Sequence, residues 1–157
     1  MSHLSLDEVL SWLTAKTAVM TTAFVQTTIP TGLSIERSIV MLIHRIEWFV
    51  PTIQAADGTI DAQLTRTSQS AILSPENPLI ISVYNGFYDF TTSGQIVRDM
   101  PKSEIYVIPP VIATPNIYFA CKPSVTPSPD VAYIRIGYSI KTVAEKDFFK
   151  LATALVT

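Results

Sequence analysis

Residues 38–51, with the sequence SIVMLIHRIEWFVP, constrain the fold most, because their apolar side chains fall on both faces of a strand. Alternate side chains of a strand point to opposite faces. The even-numbered positions are apolar apart from one histidine: Val40, Leu42, His44, Ile46, Trp48 and Val50. The odd-numbered positions mix apolar and charged residues: Ile39, Met41, Ile43, Arg45, Glu47 and Phe49. A strand of a free-standing antiparallel sandwich keeps one face in water, so we expect a terminal helix or another subunit to cover the second face.

The rest of the chain is typical of an all-β protein with one domain, residues 1–157. Eleven prolines and several β-branched runs favour strands, and no helical pattern lies between them. The pair Asn85-Gly86 predicts a two-residue hairpin turn between aromatic-rich strands. About eight antiparallel strands are compatible with a jelly roll, an immunoglobulin-like Greek key or a small barrel. The predicted strands are Val19–Ile29, Ser38–Val50, Thr59–Arg66, Leu79–Tyr84, Phe87–Thr92, Gln95–Arg98, Glu104–Ile108, Asn116–Cys121 and Val131–Thr142.

Both ends of the chain carry helical signals. Ser5 and Glu8 have capping-box spacing ahead of apolar residues at helical intervals, which predicts a helix over residues 6–16 within an N-terminal arm, residues 1–17. Thr142 and Glu145 repeat this spacing and predict a C-terminal helix over residues 143–157. The apolar stripe of that helix includes Phe148, which we expect to dock on its own sandwich or on a neighbour.

Self-association is predicted from the shortage of charge. Charged residues make up 15% of the chain, against about 25% in an average soluble domain. Part of the exterior is therefore expected to be buried against copies of the chain or other partners, although a Thr/Ser-rich surface is the alternative. Arg45 and Glu47 can pair with each other or across a subunit contact, or they can form a solvated edge. The candidate subunit interface consists of Ile39, Met41, Ile43, Arg45, Glu47, Phe49 and Phe148.

Catalytic and cofactor motifs are not found in the sequence. His3 lies near the terminus and His44 lies among apolar strand residues, where a structural role is favoured over that of a general base. Asp57 and Asp61 bracket a turn without the dense ligand series of a calcium loop. Cys121, the single cysteine, alternates in phase with apolar residues and is expected to be a core thiol. We expect no enzymatic activity, no metal, no cofactor and no small-molecule substrate.

The charge pattern limits the possible partners. The formal net charge is −2, and Lys16 is the only basic residue among the first 36. Contact with nucleic acid is therefore expected to be weak and non-specific. No apolar run reaches the roughly 20 residues that span a bilayer, and no secretory signal is recognised, so no membrane association is expected.

Three parts of the chain carry a family resemblance: FVQTTIPTGL (residues 24–33) ahead of IHRIEWFVP, DGTIDAQLTRTS (57–68) and YIRIGYSIKTVAEKDFFKL (133–151). Their order resembles small single jelly-roll capsid proteins of icosahedral viruses. The resemblance implies an antiparallel jelly-roll β-sandwich of about eight strands with short N- and C-terminal helices. It also implies a subunit that self-assembles through the sides of the sandwich into a shell, in a virion assembled inside the host cell. The arginine-rich arm that many such proteins use to bind the genome is absent. Two alternatives are a β-sandwich binding module for carbohydrate or protein and a small sandwich hydrolase.

Overall fold

A computed structural model of the chain describes residues 10–34, 37–51, 53, 56–89, 95–99 and 103–154. These residues form two antiparallel sheets that pack face to face, followed by one helix. The predicted all-β sandwich is therefore confirmed. Its strands are β1 (Ser11–Lys16), β2 (Val25–Pro30), β3 (Ile39–Phe49), β4 (Gly58–Thr65), β5 (Ile80–Asp89), β6 (Gln95–Asp99), β7 (Ser103–Ile105), β8 (Val111–Ile112), β9 (Asn116–Pro123) and β10 (Tyr133–Thr142), and helix α1 spans Glu145–Ala154.

The strands pair in a nested order. Sheet 1 has the order β1-β10-β3-β7, with β8 also paired to β3, and sheet 2 has the order β2-β9-β4-β5-β6. The first strand thus pairs with the last, β2 pairs with β9, β3 pairs with β7 and β8, and β4 pairs with β5. Most connections therefore cross from one sheet to the other.

The core lies between the two sheets, and its largest side chain is that of Trp48, which is 1% exposed. The ring centroid of Trp48 lies 6.0 Å from that of Tyr84 in β5 and 5.9 Å from that of Phe119 in β9. Tilted aromatic pairs at such distances add to the free energy gained by burial. Cys121 is also fully buried in this core, as predicted.

A β-bulge in β3 decides which of its side chains enter the core. Arg45 and Ile43 lie opposite successive residues of β10, so His44 is an extra residue in β3. The extra residue shifts the alternation by one position. The core side chains of β3 and the residue after it are therefore Met41 and Ile43 before the bulge, and Ile46, Trp48 and Val50 after it. The strict alternation that the sequence predicted over residues 38–50 is wrong for this reason.

Helix α1 covers the outer face of sheet 1 where β3 begins. Phe148 is fully buried there against Val40 of β3 and Ala113. The same cluster is completed by four partly buried side chains: Leu42, Val111, Val143 and Leu151. The prediction that a terminal helix or another subunit covers the second face of β3 is confirmed for this half, and the cover is the C-terminal helix of the same chain.

The C-terminal helix is confirmed over Glu145–Ala154, and residues 155–157 of the predicted range lie outside the described residues. Its first hydrogen bond runs from the Phe148 amide to the Ala144 carbonyl at 2.9 Å. The helix therefore begins three residues after Thr142, which still belongs to β10. The acidic side chains of Glu145 and Asp147 lie in the first turn, where the helix dipole favours negative charge.

The N-terminal arm differs from the prediction. Residues 11–16 form strand β1 instead of a helix, and residues 1–9 lie outside the described part. The register of β1 on β10 runs from Ser11 opposite Tyr138 to Lys16 opposite Tyr133. Leu13 packs against the core. Backbone pairing with the open edge of β10 overrides the local helical periodicity, so the predicted helix is wrong over these residues.

The predicted hairpin turn at Asn85-Gly86 is also wrong. Strand β5 runs through both residues, with Gly86 opposite Ile60 of β4. Glycine is required there because a Cβ would lie 2.9 Å from ring carbons of Tyr88, whose side chain is buried. The glycine therefore serves a close approach inside a strand and not a turn.

The connection between β4 and β5 covers part of the outer face of sheet 2. Gln63, which is buried, donates from Nε2 to the Leu73 carbonyl at 2.6 Å and accepts from the Leu73 amide at 2.9 Å. Gln26 accepts in the same way from the Gln69 amide at 2.8 Å. These bonds satisfy polar groups that the connection buries.

Candidate interaction surfaces

The half of the outer face of sheet 1 that α1 does not cover combines aromatic and charged side chains. We call this surface the open face and define it by Trp12, Arg45, Glu47, Phe49, Tyr133 and Arg135. Phe49 lies opposite Tyr133 in the register of β3 on β10, and Glu47 lies opposite Arg135. Phe49 and Tyr133 are 53% and 44% exposed. Two large exposed rings side by side are unusual on a sandwich face and are typical of contact surfaces.

Glu47 links the two arginines of the open face. Its Oε1 lies 3.1 Å from Arg45 Nε, and its Oε2 lies 3.6 Å from Arg135 Nη1. The Arg135 guanidinium carbon lies 4.0 Å from the centroid of the Trp12 ring, within the range of a cation–π contact. Partly exposed ion pairs stabilise a fold by at most about 1 kcal/mol, so this network mainly orients the arginines.

Gly137 leaves room for the Trp12 ring on the outer face of β10. A Cβ at Gly137, opposite Trp12 in the register, would lie 3.0 Å from the indole. A larger residue at position 137 would therefore push the indole outward, away from the strand on which it rests. Gly137 thus lets the Trp12 ring lie close to β10 with Arg135 over it.

The second surface lies at the free edge of sheet 1, where residues 105–110 form what we call the edge knob. The ladder with β3 is interrupted between β7 and β8, opposite the bulge at His44. The last residue of β7 and two looped-out residues carry the most exposed aliphatic side chains of the described chain: Ile105 at 67%, Val107 at 97% and Ile108 at 87%. Exposed aliphatic groups that cluster in this way are typical of contact surfaces.

The edge knob is anchored at both ends. The Tyr106 amide donates to the His44 carbonyl at 2.9 Å, and the Ile43 amide donates to the Pro110 carbonyl at 3.0 Å. The Tyr106 ring packs against the core, and its hydroxyl donates to Glu104 Oε2 at 2.6 Å. Burial and this contact raise the pKa of the Tyr106 hydroxyl, so it remains a donor at neutral pH.

A shallow groove lies near the edge knob. It is lined by Glu47, Trp48, Phe49 and Ser103, has a volume of about 290 Å³, and presents an almost entirely apolar surface. Ser103 is two residues from Ile105 along β7, so this edge groove and the edge knob lie on the same edge of sheet 1. An aliphatic side chain of a partner fits such a groove.

The structure separates the predicted interface residues into two groups. Arg45, Glu47 and Phe49 belong to the open face, and Ile39 is half-buried beside the core, so their contact with a partner stays a prediction. The other three are fully buried within the chain itself: Met41, Ile43 and Phe148. These three cannot contact a partner in this conformation. The bulge at His44 turned the first two inward, and α1 docks the third on its own sandwich.

Several surface residues were not predicted as contact residues. Val107 and Ile108 fall in the predicted strand Glu104–Ile108, although the following Pro109-Pro110 removes two backbone donors and indicates an interrupted ladder. Trp12 was assigned to the N-terminal helix. Tyr133 and Arg135 fall in the predicted strand Val131–Thr142, but the sequence does not show which strands lie beside it.

The described residues contain one pair with the chemistry of a nucleophile and a base. His44 Nε2 lies 2.7 Å from Ser139 Oγ, and both side chains are half-buried. Activation of a serine also needs a group that orients the histidine, and none bonds to His44 in this part of the chain. The pair therefore ties the bulge of β3 to β10.

Two other polar sites are structural in their contacts. Glu104 Oε2 accepts hydrogen bonds from Ser82 Oγ and from the Tyr106 hydroxyl, each at 2.6 Å, and so joins the edges of the two sheets. Burial raises the pKa of the Cys121 thiol to about 12, which keeps it protonated and unreactive. Among the described residues, no three His, Cys, Asp or Glu side chains come together as ligands for a metal ion.

Comparison of the chain with protein-family models, with curated proteins and with solved structures finds no match. Within the described residues, no helix has the length and apolar character needed to cross a membrane.

Proposed function

We propose that this protein is the subunit of an icosahedral virus capsid, a jelly roll that self-assembles into a shell around the genome. A jelly roll is a long antiparallel pair of strands wrapped into two sheets, so that strands pair from the chain ends inward. The pairs β1–β10, β2–β9, β3–β7/β8 and β4–β5 support this description. Strands that follow one another in the chain lie in different sheets, except for the pairs β4–β5, β5–β6 and β7–β8.

The fold alone leaves the function open, because jelly rolls also serve as lectins and cupins. The observation that carries the proposal is the edge knob, which places Ile105, Val107 and Ile108 in water at one side of the sandwich. A monomeric protein gains nothing from this exposure, whereas a shell subunit buries its sides against neighbours. The low content of charged residues and the aromatic open face agree with extensive subunit contacts.

The size of the purified protein tests this proposal. Sedimentation velocity and negative-stain microscopy are expected to reveal closed particles of uniform diameter that form as the concentration rises. A binding module for carbohydrate or protein is instead expected to remain a monomer or a small oligomer. A strictly monomeric species at all concentrations and salt conditions would exclude the capsid proposal.

A further inference from the structure

We propose that the free edge of sheet 1 forms a two-fold contact between two copies of this chain, in which the edge knob of each copy enters the edge groove of the other. The inference rests on the proposed function, since it assumes that the chain self-assembles. Beyond the proposed function, it specifies which surface of the chain forms one subunit contact and which surface of the other copy it meets.

The edge knob is built to stay exposed. Its two flanking backbone hydrogen bonds and the partly buried Tyr106 ring fix the ends of the segment, and Pro109 and Pro110 restrict its backbone. Val107 and Ile108 therefore lose little conformational freedom when a partner covers them. A preorganised apolar segment binds more tightly than a flexible one for this reason.

The edge knob and edge groove are arranged for an isologous contact. Ser103 of the edge groove begins β7, Ile105 ends it, and Val107 of the edge knob follows, so the groove and the knob lie at most about 14 Å apart along one edge. A two-fold axis near Ile105, roughly midway between them, places each edge knob on the edge groove of the other copy. Both apolar surfaces are then buried together, as an isologous interface requires.

The edge is also large enough. Strand β3, which runs behind this edge, has 11 residues and is therefore about 37 Å long. Two sheets about 10 Å apart, with side chains on both outer faces, make the sandwich about 20 Å thick. The two-fold axis near Ile105 lies opposite Arg45, four residues from the end of β3, so the two edges overlap over about eight residues, or about 27 Å. The contact then buries about 540 Å² per copy, or about 1,100 Å² in total, above the roughly 1,000 Å² that a specific interface needs.

The chemistry of the edge favours another copy over nucleic acid or a bilayer. The segment IYVIPP of the edge knob has no charged residue, whereas binding of nucleic acid depends on cations that contact phosphates. Arg45, beside the groove, is already paired with Glu47. Anionic lipid headgroups also attract clusters of cations, and the edge knob and edge groove contain none among their described residues.

Cysteine crosslinking tests the position of the two-fold axis. The only native cysteine, Cys121, is fully buried, so an introduced surface cysteine reports on its own contacts. Ile105→Cys is expected to form a disulfide between two copies on mild oxidation. Ile140→Cys, at a residue 51% exposed on β10, is the matched control and is expected to crosslink at least ten-fold less.

Charged substitutions test the energetic role of the edge knob. The double variant Val107→Asp/Ile108→Asp is expected to weaken self-association about 100-fold or more, because aspartates would enter an apolar groove. The double control Val19→Asp/Ile140→Asp changes two other exposed aliphatic residues, which are 63% and 51% exposed, and is expected to associate like the wild type. Thermal melting of all variants checks that they are folded.

The outcomes separate this inference from the proposed function. Selective crosslinking of Ile105→Cys together with dissociation of the edge variant supports the two-fold contact. Normal particles from the edge variant, or equal crosslinking of the two cysteine variants, would overturn the contact and leave the capsid proposal standing. Flotation with anionic vesicles that the edge variant loses, with unchanged self-association, would assign the edge to lipid and overturn the inference. A wild-type protein that never associates would overturn both.

Discussion

Trp48 is the residue on which the core of the sandwich depends most, because it contacts an aromatic ring from each of two strands in the opposite sheet. We expect Trp48→Ala to lower the free energy of unfolding by about 3–5 kcal/mol, since two sheets cannot close around so large a cavity. Urea denaturation followed by circular dichroism measures the change. Trp12→Ala is the matched control and is expected to cost less than half as much, because the Trp12 ring lies on the outer face. A loss below about 1 kcal/mol for Trp48→Ala would contradict this packing.

Cys121 provides a prediction about pH. Burial raises the pKa of its thiol to about 12, whereas an unfolded thiol titrates near about 8.5. The folded state thus holds the proton more tightly, and the stability that this provides is complete below about pH 8.5 and is lost as the pH rises toward 12.

We therefore expect the wild type to lose stability relative to Cys121→Ala between about pH 8.5 and pH 11, as measured by urea denaturation at each pH. A parallel decline in the two proteins would show that the thiol does not titrate differently on folding. As an independent check, a thiol reagent at pH 8 is expected to modify Cys121 in guanidinium and not in the native protein.

At the scale of elements, helix α1 completes the sandwich by closing the outer face of sheet 1. Phe148→Asp is expected to lower the melting temperature by about 10 °C or more, because it places a charge between Val40 and Ala113. Phe149→Asp is the matched control, since Phe149 is 49% exposed on the same helix and receives the same chemical change. We expect the shift for Phe149→Asp to be less than half as large. Equal shifts would mean that α1 is not docked through Phe148.

Several of the elements that the sequence predicted correctly have a regular period. Strands β4, β9 and β10 and helix α1 each have an alternating or helical apolar pattern that identifies the type of element. Strand β3 is also present, although the bulge at His44 interrupts its alternation. Strand β1 was not predicted, because its six residues depend on the edge of β10 for their hydrogen bonds. The hairpin turn predicted at Gly86 is wrong because glycine is used both in turns and where two groups approach closely, and only the Tyr88 ring beside it distinguishes the two.

The candidate surfaces were harder to predict than the strands. Arg45, Glu47 and Phe49 were placed on an outer face correctly, but one extra residue in β3 moved Met41 and Ile43 into the core. A bulge is a property of the pairing between two strands, so the sequence of one strand does not locate it. The edge knob likewise arises because β7 and β8 pair with β3 on either side of that bulge.

At the scale of the whole molecule, the described surfaces are better suited to contacts between subunits than to packaging of polyanions. Lys16 is the only basic residue before Arg37, and two of the arginines on sheet 1 are paired with Glu47. We expect nuclease-treated protein to form particles with at least half the yield obtained with added polynucleotide, as measured by sedimentation. Particles that form only when polynucleotide is added would contradict this expectation.

The nested strand order also determines the order in which strand pairs can form while the chain is being synthesised. During synthesis β1 and β2 emerge first, yet their partners β10 and β9 emerge last, whereas β4, β5 and β6 pair as consecutive strands. Pairing is therefore expected to spread outward from the middle of the chain, with the longest loops closed last and slowest. Sheet 1 is complete only once β10 has left the ribosome. For the proposed capsid subunit, we therefore expect assembly to follow the completion of synthesis.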